Sequence, residues 1–326
     1  MFNSRYIRVL HNGKRSYAKF PNLKNGIYIF CIALLVRVIY ISFFVESSYL
    51  FSEDQTLYIQ LANQFPSSGF LGVTPKRVPG YPLFVSTIFT IFDKDLWNVI
   101  LIQALLDSIS CVIIALMAKS IFGKGFWIAG ILSVANLNMI ILSSTLLTDT
   151  LFLFLFILFL FSLLQYLKSE HIAWFFLLVL FISLATLVRS VSYYLLPILL
   201  IWLLGWRLWK KDSILKICAL AISYVFIVGV LLGSIHQRNY QQYGSTAFIT
   251  QTGGAVLGWV VPATYQYSGM GSYQDGQKLV KKRLDLALQK DHLLELPSNP
   301  FESSAYQANV GKEILLEFGF INIIKV

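Results

Sequence analysis

Two neighbouring acids, Glu53 and Asp54, lie in the segment EDQTLYIQLA, directly after the first long apolar run of the sequence. The spacing of Leu57, Tyr58 and Leu61 predicts an amphipathic helix that begins here. Near the start of that helix, Asp54 would face a cavity or the lipid headgroups. A carboxylate held there could accept a proton from an attacking hydroxyl group. An acid that only stabilises the helix dipole explains the same position, and the residues alone leave both explanations open.

Two cations, Lys76 and Arg77, precede the segment VPGYPLF, in which Pro79 and Pro82 mark the entrance to a short helix. Basic side chains that snorkel to the membrane surface explain both residues. The alternative is a clamp for a lipid-linked phosphate, because a guanidinium offers phosphate oxygens a planar fork of donors. Both cations fall on the side of the membrane that should be poor in positive charge, which favours the clamp.

Asp149, in STLLTDTLF, is the only acid in the otherwise apolar stretch from Phe126 to Leu167. An acid is costly there unless it faces a cavity or meets a cation. A simple helix N-cap, with Thr148 as a second capping residue, explains it equally. Arg189 lies at the outer end of the fifth predicted span, where it can pair with an acid or with a phosphate.

Other polar residues lie inside or beside the apolar runs. Arg37 is near the middle of the first run, where an unpaired guanidinium would be costly, so we expect a structural partner within the helix bundle. Arg238 and Asn239 belong to a polar cluster where the last span leaves the membrane, and an interfacial girdle explains such a cluster. The sequence contains no P-loop, no dinucleotide-binding fingerprint and no zinc motif, which argues against ATP-driven transport by this chain alone.

The composition defines the class of protein. Hydrophobic residues make up 56% of the 326 residues and charged residues 13%, against roughly 25% charged residues in soluble domains. Apolar runs recur between residues 26 and 235, which excludes a water-soluble enzyme, a disordered chain and a small disulfide scaffold. The cysteines all lie in apolar runs and are expected to be small core residues: Cys31, Cys111 and Cys218.

The net charge of +10 marks membrane topology rather than nucleic-acid binding. Residues 1–25 contain six basic residues and no acid, directly before the apolar run from Gly26 to Val45. That run is longer than the roughly 7–15 residues of a signal-peptide core. We therefore predict an uncleaved first span with its N-terminus in the cytoplasm.

Seven spans are predicted from apolar stretches of about 18–25 residues. They are 26–45, 97–119, 125–145, 149–167, 172–190, 191–208 and 214–235. The short cytoplasmic connections between them carry Lys and Arg, as the positive-inside rule requires. The chain then consists of a basic cytoplasmic N-terminus (1–25), a transmembrane module (26–235) that includes the outer loop 46–96, and an extracytoplasmic tail (236–326).

Two outer regions contain further predicted helices. The segment from Gly80 to Phe92 is apolar but, at about 13 residues, too short to cross a bilayer, so we expect it to lie in the interface or to re-enter it. In the tail, residues 277–290 predict a surface helix, and residues 304–318 carry a second helical pattern. The sequence then stops in GFINIIKV as another apolar run begins.

Read in order, five segments resemble the GT-C membrane glycosyltransferases: EDQTLYIQLA, RVPGYPLF, FDKDLWNVILIQALLDSISCVIIALMAKSIFG, LLTDTLFLFLF and LVRSVSYYLLP. The nearest likeness is to bacterial members akin to the protein O-mannosyltransferases and the lipid A aminoarabinose transferase, over residues 26–260. The resemblance implies an all-α, multi-span bundle in the cell membrane that uses a polyprenyl-phosphate sugar on its extracytoplasmic face. Since family members usually continue through further spans, it also implies a truncated C-terminus.

The resemblance assigns roles to residues at matching positions. Asp54 matches the catalytic base, and Asp149 matches the acid of the second outer loop. Arg77, together with Lys76, matches the basic residue before the interfacial helix, and Arg189 matches a basic position before a Tyr- or Leu-rich span. These cations would hold the donor phosphate. Further residues near the matching segments are expected to contact substrate: Glu53, Tyr58, Tyr81, Arg238 and Asn239.

The sequence therefore predicts a glycosyltransferase that inverts the anomeric carbon in one displacement, with Asp54 as base and with cations stabilising the leaving phosphate. The acceptor would be a hydroxyl of a lipid, glycan or protein; no cofactor and no nucleic acid is required, and a divalent ion near Asp149 is a second option. Two other classes stay open, namely a flippase or export subunit for polyprenyl-linked sugars and an inactive truncated homologue. Ionisable residues near the outer ends, rather than at the midplane, favour the enzyme.

Overall fold

The computed structural model describes residues 23–46, 53–68, 74–319 and 322, and these ranges are helical with short connections. The α-helices are α1 (Leu23–Phe44), α2 (Glu53–Ser68), α3 (Gly80–Ile91), α4 (Leu96–Phe122), α5 (Phe126–Val134), α6 (Leu137–Ser143), α7 (Thr148–Ser169), α8 (Ile172–Val188), α9 (Leu195–Trp209), α10 (Ile214–Tyr243), α11 (Gln251–Ala255), α12 (Val261–Tyr267), α13 (Tyr273–Lys290) and α14 (Pro300–Phe318). A 3₁₀ helix, Ser190–Tyr194, precedes α9, and a π-helix, Val256–Val260, joins α11 to α12. The predicted all-α membrane fold is confirmed.

The number of spans differs from the seven predicted. Over the described ranges, five helical segments are long and apolar enough to cross a membrane: Lys24–Phe44, Leu96–Phe122, Thr148–Ser169, Ser190–Trp209 and Ile214–Tyr243. A sixth is obtained if α5 and α6, which are bent by 53°, count as one broken span. The described residues thus contain five or six helices long enough to span a membrane, where the sequence predicted about seven.

Two local features account for the difference. The predicted span 125–145 is interrupted at Asn136, whose backbone is extended and whose side chain accepts a hydrogen bond from the N–H of Met139, so that a new helix begins. The predicted span 172–190 ends at Val188 because Arg189 is extended. The resulting helix has 17 residues, at the lower end of the roughly 17–25 residues of membrane-spanning helices.

The described residues form two compact units. The first contains 23–46 and 100–145; the second contains 53–68, 74–99, 146–319 and 322. The predicted division of the chain at residues 25 and 235 stays a prediction, because it concerns the two sides of the membrane.

In the first unit, a buried guanidinium stabilises the broken span. Arg37 is completely buried, and its Nε donates to Oδ2 of Asp107 at 2.7 Å. Its Nη1 donates to the carbonyl of Val134 at 3.0 Å and its Nη2 to that of Ser133 at 3.4 Å. These carbonyls lie at the end of α5, where the break removes helical partners. The structural partner expected for Arg37 is thereby confirmed.

We expect the substitution Asp107→Ala to lower the free energy of unfolding by about 3–5 kcal/mol, because it leaves a buried guanidinium without its carboxylate. Thermal unfolding of the purified chain in detergent measures the effect. The exposed Lys278, whose side chain is 79% accessible, provides the control Lys278→Ala, which should stay within about 0.5 kcal/mol of wild type. Equal unfolding temperatures for the two variants would contradict the proposed role of the pair.

In the second unit, α7 and α8 form an antiparallel hairpin across a short turn at Glu170 and His171. Nine of the 17 residues of α8 are buried, so α8 forms the centre of this unit. The short helix predicted at Gly80 is observed as α3. The helices predicted in the tail are confirmed as α13 and α14, which start earlier than expected because Ser272 and Asn299 cap them.

A polar network joins the ends of α7, α9 and α10. The side chain of Arg207 is 2% exposed, and its Nε and Nη2 donate to the hydroxyl oxygen of Tyr166 at 3.0 and 2.5 Å. Its Nη1 donates to Glu170 at 3.1 Å and to Asp212 at 2.9 Å. Lys210 donates to the other oxygen of Glu170 at 3.1 Å. The chain thus places compensating charge around a guanidinium that it buries.

This network should make stability depend on acid pH. Burial alone would raise the pKa of Glu170, but Lys210 and Arg207 outweigh it and lower the pKa below its ordinary value of 4.5. The pKa of Asp212 is lowered from 3.8 by Lys216 and Arg207, again against burial. A depressed carboxylate pKa stabilises the fold fully above the unfolded value and loses that contribution as pH falls through the folded value.

We therefore expect the unfolding temperature to fall as pH drops from about 5 to about 3, and to fall less steeply in the variant Arg207→Met. Thermal unfolding in detergent across that pH range tests this. The comparison uses the slope against pH, because the variant also loses buried packing. Parallel curves for the two proteins would contradict the assignment.

Candidate active site

The short helices α2 and α3 pack together and carry the first of the predicted site residues. The ring of Tyr58 meets the ring of Tyr81 edge to face, with centroids 5.0 Å apart. Tyr81 is completely buried and Tyr58 is 8% exposed. The two aromatic rings thus fix the start of α2, where Asp54 lies, relative to the start of α3.

Arg77 and Asp54 form an ion pair at this junction. Nη2 of Arg77 donates to Oδ1 of Asp54 at 2.8 Å, and the guanidinium carbon lies 6.0 Å from the centroid of the Tyr58 ring. The side chain of Arg77 is 18% exposed, whereas that of Asp54 is 60% exposed. The carboxylate is therefore held by one oxygen and remains open to a ligand.

A second ion pair closes the hairpin of α7 and α8. Asp149 lies in the first turn of α7, and Arg189 follows the last residue of α8; Nη1 of Arg189 donates to Oδ1 of Asp149. Both side chains are partly exposed. Gln55 accepts a hydrogen bond from the N–H of Leu146 at 2.9 Å, which ties α2 to the approach of α7.

Both ion pairs act on one phenol. Burial raises the pKa of Tyr58 above its ordinary value of 10.0; the two arginines lower this pKa and the two aspartates raise it. The pKa of Tyr81 is raised well above 10.0, chiefly by burial, with further contributions from Tyr58 and Asp149. The pKa of Tyr58 thus responds to both acids and both arginines that the sequence singled out.

A pocket of about 330 Å³ lies beside Arg77. The loop before α3 and the start of the tail meet at this pocket. The N–H of Thr250 donates to the carbonyl of Pro75 at 3.0 Å and joins them. The lining residues of the pocket are Leu57, Lys76, Arg77, Thr250, Gln251, Gly254, Ala255, Trp259, Pro300, Ser303, Ser304 and Gln307. Lys76 also lines the pocket, and its side chain is exposed.

Two of the lining residues contain polar atoms that are buried without a partner. They are Nε of Arg77 and Oγ1 of Thr250. An unsatisfied buried polar group costs about 1–3 kcal/mol. The two atoms are buried behind the pocket surface and therefore mark a local cost of this packing.

Arg238 and Asn239 stabilise the turn that precedes Thr250. Nε and Nη2 of Arg238 donate to Oδ1 of Asn239 at 3.0 and 2.8 Å. Nδ2 of Asn239 donates to the carbonyls of Ala247 and Phe248 at 2.7 and 3.1 Å. Both side chains are buried, so they hold the turn that leads to Thr250. Their direct contact with substrate stays a prediction, and the side chain of Glu53 lies outside the described residues.

The residues of the tail that line the pocket were missed from the sequence. The missed side chains include Gln251, Trp259 and Gln307. One signal was available: Gly253 is glycine because α11 packs directly on α14, where an added Cβ would lie 1.8 Å from the carbonyl oxygen of Ser304. Within the described ranges, no three His, Cys, Asp or Glu side chains are grouped to hold a metal ion.

A family model matches the middle of the chain. Residues 75–232, just under half of the sequence, match the model of the dolichyl-phosphate-mannose-protein mannosyltransferases. The matched segment contains Lys76, Arg77, Tyr81, Asp149 and Arg189. No curated protein matches this chain. Together with the apolar helices, the family match supports a membrane glycosyltransferase.

The segment that matches the family model does not cover the whole candidate site. Asp54 and Tyr58 lie before the matched segment, and Arg238 and Asn239 lie after it. The wall of the pocket that the tail supplies also lies outside it. The contacts of the described residues, rather than the match, therefore join these parts to Arg77.

We expect Gly80→Ala to destabilise the fold by about 1–3 kcal/mol, because the new Cβ would lie 2.5 Å from the carbonyl oxygen of Leu187 in α8 and would push α3 away. Gly205→Ala is a matched control within α9, where an added Cβ meets nothing within 4 Å. That control should be neutral or stabilising by up to about 1 kcal/mol. Thermal unfolding in detergent measures both variants. A harmless Gly80→Ala would show that close packing of α3 on α8 is not required.

Proposed function

We propose that this protein transfers a sugar from a polyprenyl-phosphate donor to an acceptor hydroxyl on the extracytoplasmic face of the cell membrane, with inversion at the anomeric carbon. The observation that carries the proposal is the pairing of Asp54 with Arg77 at the edge of a pocket that also contains Lys76. The family match over residues 75–232 supports the same reaction class.

In the proposed reaction, the acceptor oxygen forms a bond to the anomeric carbon while the bond from that carbon to the phosphate oxygen breaks. Asp54 accepts the proton of the acceptor hydroxyl, and the electron pair of the broken bond leaves with the lipid phosphate. The open, 60% exposed carboxylate of Asp54 suits a base that must reach an incoming hydroxyl. The acceptor is a lipid, a glycan or a protein.

The cations around the pocket have separate roles in this proposal. Arg77 orients Asp54 by holding one of its oxygens, which leaves Lys76 as the cation with an exposed head at the pocket. Lys76, with the charge of Arg77 beside it, stabilises the charge that develops on the leaving phosphate. A lipid monophosphate carries less charge than a nucleotide diphosphate, so these groups take the place of a metal ion.

The second ion pair borders the same reaction centre. Asp149 and Arg189 act on the Tyr58 hydroxyl together with Asp54 and Arg77, which supports a common site. We assign Asp149 to orienting the acceptor and Arg189 to balancing its charge.

The test measures transfer of radiolabelled sugar from a panel of polyprenyl-phosphate sugars in membranes that express the chain. We expect Asp54→Asn to lower transfer by about 10²–10⁴-fold, the usual contribution of a general base. Asp93→Asn is the matched control, since Asp93 is an exposed acid in the turn after α3 and should retain full transfer.

Each other outcome has a definite meaning. Full transfer by Asp54→Asn would remove Asp54 as the base. No transfer by folded wild-type protein from any donor would overturn the proposed reaction and return the flippase and the inactive homologue to consideration. Transport of a labelled polyprenyl-phosphate sugar across vesicles would then separate those two.

A further inference from the structure

A second cavity, of about 360 Å³, lies in the first unit and contains none of the residues assigned to the candidate active site. It is found where α1 begins, α4 ends and α5 begins. Asn25, Lys119, Lys124, Trp127 and Ile128 are among the residues that line it. Because α1 and α4 are each long enough to span a bilayer, their ends lie at a membrane surface, and the cavity is near the lipid headgroups.

The three helices that form this cavity are closely packed. Gly26 of α1 faces α4, where an added Cβ would lie 3.5 Å from Cγ1 of Val112. Gly130 of α5 faces α1, and an added Cβ there would overlap the side chain of Ile29. The positions of the cavity walls are therefore fixed by helix contacts that lie within about one turn of them.

The turn between α4 and α5 brings two lysines to the cavity. The N–H of Gly123 donates to the carbonyl of Lys119 at 2.8 Å and ends α4. Gly123 and Gly125 have φ angles of 72° and 90°, which glycine adopts without a clash of Cβ. Lys124 lies between these glycines and lines the same cavity as Lys119.

The two ammonium groups lack compensating acids. Across the part of the chain that the structure describes, neither the side chain of Lys119 nor that of Lys124 forms an ion pair or a hydrogen bond. The described ranges of the first unit contain two acids, Asp107 and Glu46. Asp107 is paired with the buried Arg37, and Glu46 follows the other end of α1. Residues 1–25 contain no acid either, so the charge of the cavity is positive.

Membrane topology alone does not account for this arrangement. Lysines at the ends of spans set the orientation of a membrane protein wherever they lie in the loops. Here both lysines line one cavity together with the side-chain amide of Asn25. Ammonium and amide groups are donors, and one phosphate group can accept hydrogen bonds from several of them. Basic pockets between membrane helices on the cytoplasmic side are typical of sites for anionic lipid headgroups.

Apolar side chains beside the cavity favour a lipid over a soluble phosphate compound. Ile128, which lines the cavity, is 68% exposed, and Phe122, directly before the turn, is 67% exposed. Trp127 is 43% exposed, and tryptophan is enriched at the level of the headgroups, where its ring is apolar and its N–H is polar. A phospholipid would contact both the cations and these side chains, whereas a soluble phosphate would contact only the cations.

We propose that this cavity binds the phosphate group of an anionic phospholipid. Lys119 and Lys124 pair with the phosphate, and the amide of Asn25 donates to one of its oxygens. The acyl chains lie along the exposed side chains of Phe122 and Ile128. The sequence predicts that this end of α1 is cytoplasmic, and the cytoplasmic leaflet has a negative surface potential. The proposal does not depend on the proposed function, because none of these residues takes part in that reaction.

The experiment titrates the purified full chain, in an uncharged detergent, with fluorescently labelled phosphatidylglycerol. Phosphatidylcholine with the same label and acyl chains is the matched zwitterionic lipid. A basic residue near an anionic lipid changes the dissociation constant by roughly fivefold, so two lysines should give wild type a preference of about twentyfold for phosphatidylglycerol. The double variant Lys119→Gln, Lys124→Gln should bind the two lipids within about twofold of each other. Equal binding of the two lipids by wild type would overturn the proposal.

Two further variants test the location. Lys24→Gln removes an exposed lysine at the same end of α1 that does not line the cavity, and it should retain the preference for phosphatidylglycerol. The double variant Lys119→Arg, Lys124→Arg retains the charge and should retain the preference too. Thermal unfolding without added lipid shows that each variant is folded. An equal loss in Lys24→Gln, or an unchanged preference in the double glutamine variant, would overturn the cavity as the site.

A competition experiment separates a lipid from a soluble phosphate compound. Inorganic phosphate and glycerol phosphate are added at the concentration of the labelled phosphatidylglycerol. Neither should displace it, because neither contacts the apolar side chains around the cavity. Displacement by an equal concentration of either compound would overturn the lipid and assign the cavity to a soluble phosphate.

Discussion

A guanidinium or carboxylate inside an apolar helical protein must be paired, and this constraint organises the chain. Lipid offers no water to solvate a charge or a broken backbone hydrogen bond. Arg37 therefore meets Asp107, and Arg207 is surrounded by Tyr166, Glu170 and Asp212. Each arrangement links residues that lie on different helices or in the turns between them.

The acids of the candidate site are also paired with arginines, but they are less buried. Asp54–Arg77 and Asp149–Arg189 are also acid–arginine pairs, but their carboxylates are 60% and 28% exposed. The Arg37–Asp107 pair is almost completely buried and leaves no oxygen open to a ligand, whereas Asp54 and Asp149 retain accessible oxygens. A pair that is incomplete toward solvent combines an accurately placed charge with access for a substrate. This difference separates a structural charge from one available for chemistry.

Much of the architecture was readable from the sequence because apolar length and basic loops are direct consequences of bilayer thickness. The need for a partner at Arg37 followed from burial cost. The break at Asn136 was not readable, since one amide in an apolar run rarely outweighs the run itself, and only the cap to Met139 shows its effect. The predicted span at residues 172–190 ends at Val188 because the backbone at Arg189 is extended, which the apolar pattern does not reveal.

The acids and cations of the candidate site could be selected from the sequence, but their pairing and the pocket could not. Asp54 and Arg77 are separated by 23 positions, and the hydrogen bond from Thr250 to Pro75 joins residues that lie before α3 and after α10. The tail side chains near Gln307 have ordinary polar identities. Their significance arises from a tertiary contact, the close approach of Gly253 to Ser304, and not from any local pattern.

The π-helix at Val256–Val260 lies between two close backbone contacts of the tail. On one side of it, Gly253 lies against the backbone of Ser304; on the other, Pro262 lies against Gly276. The wider turn sets the rotation between these two contacts, because a π turn contains more residues than an α turn. Removing or inserting one residue between 253 and 262 would rotate one contact away while the other remained. The number of residues between Gly253 and Pro262 is therefore constrained by both contacts, and it fixes the position of Trp259 between them.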